Sequence, residues 1–209
     1  MQIIDLGLTD FTEAYRFQIE LVKKVSLGIC EDALLITEHN PVITIGRTGS
    51  EQNIFRRDIH VIRADRGGDV TYHGPGQLIA YPIFKLENES RDIHRFLEFL
   101  EETGSAFLAQ YGIFTEKRPG FRGIWADNKK IGSIGIGVKK WVTYHGLAIN
   151  INTDLMPFSF IRPCGIEGVE ITSLKSLLRR EIDMDDAKDR LISTFKEVSL
   201  LAETVSKNR

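Results

Sequence analysis

Apolar residues change their spacing several times along the chain, and each change predicts an element. Ile3 and Ile4 open with a short strand. Ala14, Phe17, Leu21 and Val25 recur at helical spacing and give a helix one buried face, with Gly28 ending it. Thr9 or Asp10 is placed to cap that helix, and Glu13 follows Asp10 by three residues as in a capping box. Ala33 to Thr37 and Val42 to Ile45 are short β-branched runs separated by a turn at residues 38–41. A polar loop follows, then a helical turn over residues 54–58 and a strand from His60 to Arg63. Between Arg91 and Gly112 the helical period returns, with Ile93, Phe96, Leu97, Leu100, Phe107, Leu108 and Tyr111 on one face and Gly104 interrupting the pattern. From Gly123 to Ile151 the period is two: Ile124 to Ala126, Lys130 to Val138 and Val142 to Ile151 predict a meander, with Asp127-Asn128 as its first turn. Residues 151–168 read as loop. Closing helices are expected over 172–179 and 185–198, the latter on a stripe of Ala187, Leu191, Phe195 and Val198, with a frayed tail after Val205.

No repeat, linker or step in composition divides the 209 residues, so the pattern predicts one α+β domain over 1–209, with a smaller C-terminal subregion from about residue 152. A formal charge of −2 gives no reason to expect nucleic acid or an anionic membrane as partner. No apolar run reaches bilayer length and the N-terminus has no basic segment before an apolar one, which points to a cytoplasmic protein. The two cysteines, Cys30 and Cys164, are too few to staple a chain this long and are expected as free thiols. Cys30, beside Glu31 and Asp32, reads as a packing residue. The five histidines show no metal-ligand spacing.

One stretch departs from this economy. Residues 66–81, RGGDVTYHGPGQLIAY, carry Gly67, Gly68, Gly74 and Gly76 between two β-rich segments. Glycine loses the most chain entropy on folding, a cost tolerated where backbone must turn sharply or let another group come close. Here the glycines alternate with ligand-capable side chains: Arg66, Asp69, Thr71, Tyr72, His73 and Gln77. A second candidate lies at Arg162-Pro163-Cys164-Gly165, where proline and glycine constrain the backbone and expose the sulfur. A thiolate is the nucleophile, and an ordinary thiol with pKa ~8.5 needs a nearby cation to populate it at neutral pH. Arg162 is adjacent but moves no protons in this range.

Arg66-Gly67-Gly68, Thr71-Tyr72-His73 and Gly76-Gln77 with Tyr81 resemble the signature of the lipoyl(octanoyl) transferases. Lys130, in Lys130-Ile131-Gly132-Ser133, resembles the lysine that this family pairs with a catalytic cysteine, and Cys164 matches the family's Pro-Cys-Gly position; Gly132 stands where the family usually has alanine. The resemblance spans about Ala33 to Leu178. It implies the biotin/lipoate ligase-like fold, a mixed β-sheet backed by helices. It implies an acyltransferase that takes an octanoyl group from octanoyl-acyl carrier protein. The acceptors implied are lysines of the lipoyl domains of 2-oxoacid dehydrogenase complexes and of the glycine cleavage H protein. It implies Cys164 as nucleophile and Lys130 as acid and base. It further implies a substrate pocket from Arg66, Gly67, Gly68, Asp69, Val70, Thr71, Tyr72 and His73, from Ser133, Ile134 and Gly135, and from Gly146, Leu147 and Ala148. A thioester is already activated, so no cofactor, ATP or metal is expected. Taken alone, Lys130 reads as a solvated strand lysine, and Cys164 reads equally as an idle loop thiol. The alternatives are an ATP-dependent lipoate ligase on the same fold, in which Cys164 would be idle, and an acyl-chain binding module needing neither residue. The triplets Tyr72-His73-Gly74 and Tyr144-His145-Gly146 suggest two similar strand ends that converge.

Overall fold

The computed structural model describes residues 1–87 and 91–207, with 200–207 as helical backbone only. Its elements run β1 (Gln2–Thr9), α1 (Phe11–Ser26), β2 (Ala33–His39), β3 (Val42–Ile45), β4 (His60–Arg63), β5 (Val70–His73), β6 (Gln77–Ile83), α2 (Ile93–Ala109), β7 (Ile124–Ala126), β8 (Lys129–Lys139), β9 (Val142–Asn150), α3 (Leu174–Leu178) and α4 (Met184–Lys207). A six-stranded sheet has the order β1-β2-β6-β9-β8-β7, and a three-stranded sheet the order β4-β3-β5. In the large sheet β1 and β2 are parallel and the remaining neighbours antiparallel, so the sheet is mixed.

The central strands are buried on both faces, which is why they read as continuous apolar runs. On β2 the alternation sends Leu34 and Ile36 to one side and Ala33 and Leu35 to the other. The first side packs under α2 and α4 through Phe96, Leu100, Phe107, Leu191 and Phe195. The second packs under α1 through Ala14, Leu21, Val22 and Val25. Each such large side chain removed from water contributes about 1.5–3 kcal/mol. Gly104 is where α2 comes closest: a Cβ there would meet Ile124 Cδ1 at 1.9 Å, so the residue that weakens the helical pattern lets the helix sit down on β7. The two turns of the meander, at Asp127-Asn128 and Lys140-Trp141, have positive φ at both central residues (50° and 61°, 53° and 59°), the twist-matched hairpin geometry.

Several expectations are corrected. The capping box does not form, because the Asp10 carboxylate accepts from Asn40 Nδ2 at 2.7 Å and gives α1 no side-chain cap. The helical turn lies at Glu51–Asn53, capped by Ser50, rather than at 54–58. The two expected strands over 33–37 and 42–45 do form, as β2 and β3, and they enter different sheets. Ile93, at the first turn of α2, is exposed. Helix α4 begins at Met184 and continues to Lys207; the last two residues of the expected frayed tail lie outside the described residues. Among the described residues no helix is long and apolar enough to cross a membrane.

Candidate active site

The small sheet leans over the middle of the large one, and a narrow slot lies between them, with an empty volume of about 470 Å³ including its opening. The glycine-rich stretch contributes Arg66, Gly68, Asp69, Val70, Thr71 and His73 to its wall. Strand β8 contributes Ser133, Ile134 and Gly135, and β9 contributes His145, Gly146, Leu147 and Ala148. Phe11, Ile79, Tyr81 and Cys164 complete it. Gly68, Asp69 and Cys164 form a partly exposed side, whereas Phe11, His73, Tyr81 and His145 are buried. The slot therefore runs from a polar rim to an aromatic end.

Two residues that the resemblance assigns to the pocket do not line it. Alternation along β5 turns Tyr72 to the opposite face, where its ring meets Phe158 edge-on at 5.4 Å in a cluster with Ile43 and Ile45. Gly67 fastens the stretch to β8 through its amide, which donates to the Ile136 carbonyl at 2.8 Å. Arg66 lines the slot but spends its donors internally, on Thr44 O and Oγ1, the Gly67 carbonyl and the Asp69 carbonyl, at 2.8–3.2 Å. Burial lowers its pKa to about 10, still a cation at neutral pH. A second positive charge thus shares the slot wall with Cys164, one that sequence adjacency did not suggest.

At the closed end, the rings of His73 and His145 both stack on Phe11, with centroids 6.2 and 5.8 Å away. The two triplets converge on one aromatic ring, although His145 sits inside β9 rather than at its end. His145 has φ 55°, its N–H donates to Gln18 Oε1 at 2.7 Å, and neither ring nitrogen has a partner. Burial lowers its pKa to about 3. His73 Nδ1 lies 2.6 Å from Gln77 Oε1, which fixes that nitrogen as the donor, and burial holds this imidazole well below its ordinary range. His39 joins the cluster: Nδ1 donates to the Thr9 carbonyl at 2.9 Å, leaving Nε2 to accept from the Tyr81 hydroxyl at 2.7 Å. Its pKa is lowered to about 4, again chiefly by burial. All three imidazoles are neutral at physiological pH, so this end is apolar in charge.

Lys130 and Cys164 meet although 34 residues separate them: Nζ lies 2.9 Å from Sγ. The amine also donates to the Arg122 carbonyl at 3.0 Å and sits 5.5 Å from the centre of the Trp125 ring. Lys130 is only 2% exposed, the opposite of a solvated strand lysine, while Lys129 faces outward to Glu170. Cys164 lies in the short 3-10 turn Pro163–Gly165 with φ 57° and ψ 19°, a left-handed conformation rare for any residue with a Cβ. The chain returns from this turn to the lysine: Lys130 N–H donates to the Glu170 carbonyl at 2.8 Å and the Thr172 N–H to the Lys130 carbonyl at 2.9 Å. Gly132, two residues on, is close to Ile124 and the Ala148 carbonyl; a methyl there would sit 3.1–3.3 Å from them, tight but short of a backbone clash.

Sequence reasoning passed over Phe11, Ile79 and His39. Phe11 stands one turn before Ala14 at the spacing of the same buried face, so its signal was in the pattern. His39 carries no such mark, being assembled only when β2 passes Tyr81.

Comparison with known proteins fits this geometry. Lipoate-protein ligase A bound with ATP superposes over 94% of this chain and 84% of its own with a TM-score of 0.73 at 16% identity. Biotin protein ligase from Aquifex aeolicus superposes over 95% and 68% with a TM-score of 0.58 at 13% identity. The fold is thus that of the biotin and lipoate ligases, as the glycine-rich stretch suggested. The family model for the lipoyl protein ligase A/B catalytic domain matches residues 10–196. Proteins named octanoyltransferase from Geotalea uraniireducens (strain Rf4) and from Geobacter metallireducens are 46% and 44% identical, over 94% and 93% of this chain and 92% of each relative. The chain belongs to the lipoyl protein ligase A/B catalytic domain family.

Proposed function

We propose that this chain is an octanoyltransferase that moves an octanoyl group from acyl carrier protein to the lysine of lipoyl domains through a thioester on Cys164. The observation that carries the reading is the 2.9 Å contact between Lys130 Nζ and Cys164 Sγ beside a slot whose far end is aromatic and uncharged. The relatives' name supports the same reaction. In the first half, the Cys164 thiolate attacks the thioester carbonyl carbon. The donor's C–S bond breaks, and the departing pantetheine thiolate takes a proton from the Lys130 ammonium. In the second half, the acceptor lysine's amine attacks the acyl carbon, the Cys164 thiolate leaves, and the proton lost from nitrogen returns to Lys130. Burying the seven saturated carbons of the chain, at about 0.8 kcal/mol each, supplies about 6 kcal/mol to hold the acyl-enzyme between the halves.

The pocket is taken as the slot, with Arg66, Gly68, Asp69, Val70, Thr71, His73, Ser133, Ile134, Gly135, Gly146, Leu147 and Ala148 around the chain and carbonyl. Residues 1–209 act as one catalytic domain in the cytoplasm, with the lipoyl domains of 2-oxoacid dehydrogenase complexes and the glycine cleavage H protein as acceptors. The test is intact-mass analysis after mixing with octanoyl-acyl carrier protein. Wild type gains one octanoyl group, labile to hydroxylamine, and Cys164→Ala gains none. A wild type that transfers the group while never carrying it would overturn the covalent route.

A further inference from the structure

Cys164 is held in a left-handed backbone conformation that persists only where neighbours over-determine it. One hydrogen bond holds the turn at its N-terminal end, and a carboxylate packs against its C-terminal end. On the N-terminal side, the Arg162 N–H donates to the Asn53 carbonyl at 2.7 Å. On the C-terminal side, Asn53 Nδ2 donates to Asp69 Oδ2 at 2.6 Å. That carboxylate oxygen lies directly beneath Gly165, where an added Cβ would stand 2.5 Å from it and 3.4 Å from Asn53 Nδ2. The other carboxylate oxygen is fixed by the N–H groups of Ser50 and Val70, at 3.1 and 2.8 Å. Asn53 is buried, is not part of the slot wall, and sits in the 3-10 turn Glu51–Asn53. It touches neither reacting atom.

We propose that Asn53, acting through Asp69, is a positioning residue that keeps Cys164 in its left-handed conformation and so keeps the sulfur against Lys130. The proposal rests on the reading of Cys164 as the acyl-carrying nucleophile. Gly165 has φ 67°, a conformation that side chains rarely adopt, and any Cβ there would also crowd the Asp69 carboxylate. This arrangement also gives the polar loop before β4 a role, since that loop delivers Asn53 to the cysteine turn.

Exchanging the two groups tests it. Asn53→Asp alone sets two carboxylates against each other, whereas adding Asp69→Asn restores a donor and an acceptor in reversed order. Octanoyl transfer by Asn53→Asp is expected to lose about tenfold or more in kcat, the worth of a hydrogen bond to a charged group, with KM changed less than about threefold. The double variant restores the donor–acceptor pair and is read by alkylation, because Asp69 also lines the slot. Alkylation of Cys164 by iodoacetamide should slow in the single variant and recover in the double. Should Asn53→Asp not fold, Asn53→Ala, which keeps the main-chain contact to Arg162, must show the same losses. A kcat within twofold of wild type for the single variant, a double variant alkylated no faster than the single, or unslowed alkylation in the single would overturn the proposal. Wild type inert toward the octanoyl donor, with an alkylation pattern as expected, would remove the proposed reaction and leave the positioning role standing.

Discussion

His145 offers a measurable link between burial and pH. Its pKa is lowered from 6.5 to about 3, first by burial and then by the charges of Arg66, His39 and Arg47. On acidification the unfolded chain takes up this proton first, so the folded state loses stability as pH falls below about 6.5, and the loss continues down to the folded value. Between pH about 8 and about 5, one imidazole neutral in the fold and ordinary in the unfolded chain contributes a loss of about 2 kcal/mol, at 1.36 kcal/mol per unit. His39 and His73 are shifted in the same direction, chiefly by burial, so the whole cluster makes the fold lose stability on acidification. His145→Phe keeps a flat ring between Phe11 and Tyr15, now 5.8 and 5.3 Å from its centroid, and deletes two ring nitrogens that have no partner. The left-handed backbone at this position affects both pH values equally and cancels from the comparison. Urea unfolding at the two pH values should show the variant losing about 2 kcal/mol less than wild type on acidification. Losses equal to within about 0.5 kcal/mol would refute the assignment of a buried neutral imidazole.

Lys130→Met keeps the length of the stem and removes the amine, so single-turnover transfer from the octanoyl donor should fall by roughly 10²–10⁴ in rate, the usual worth of a positioned acid–base group. Gly104→Ala would drive a methyl into Ile124 and should cost about 1–3 kcal/mol in denaturant unfolding. Adding Ile124→Val, which shortens the side chain it meets, should return part of that loss.

The pattern of periods was enough for the meander and the long helices, because local alternation and core packing there agree. It failed where a distant segment competes for a local group. Asp10 looks like half of a capping box, but the turn after β2 brings Asn40 to its carboxylate. Tyr72 lies inside the motif that signals the pocket, yet strand alternation sends it to Phe158. The partnership of Lys130 with Cys164 was legible through resemblance only; no spacing along the chain encodes a contact over 34 residues. Asn53 gave no warning, since its function is written in the carbonyl and amide it offers to two other loops.

The main chain of Lys130 is clasped on both sides by residues 170 and 172, while its amine reaches the sulfur six residues upstream of Glu170. The loop that carries the thiol is thus fastened to the backbone of the same residue whose side chain meets the sulfur, so amine and sulfur share one point of attachment.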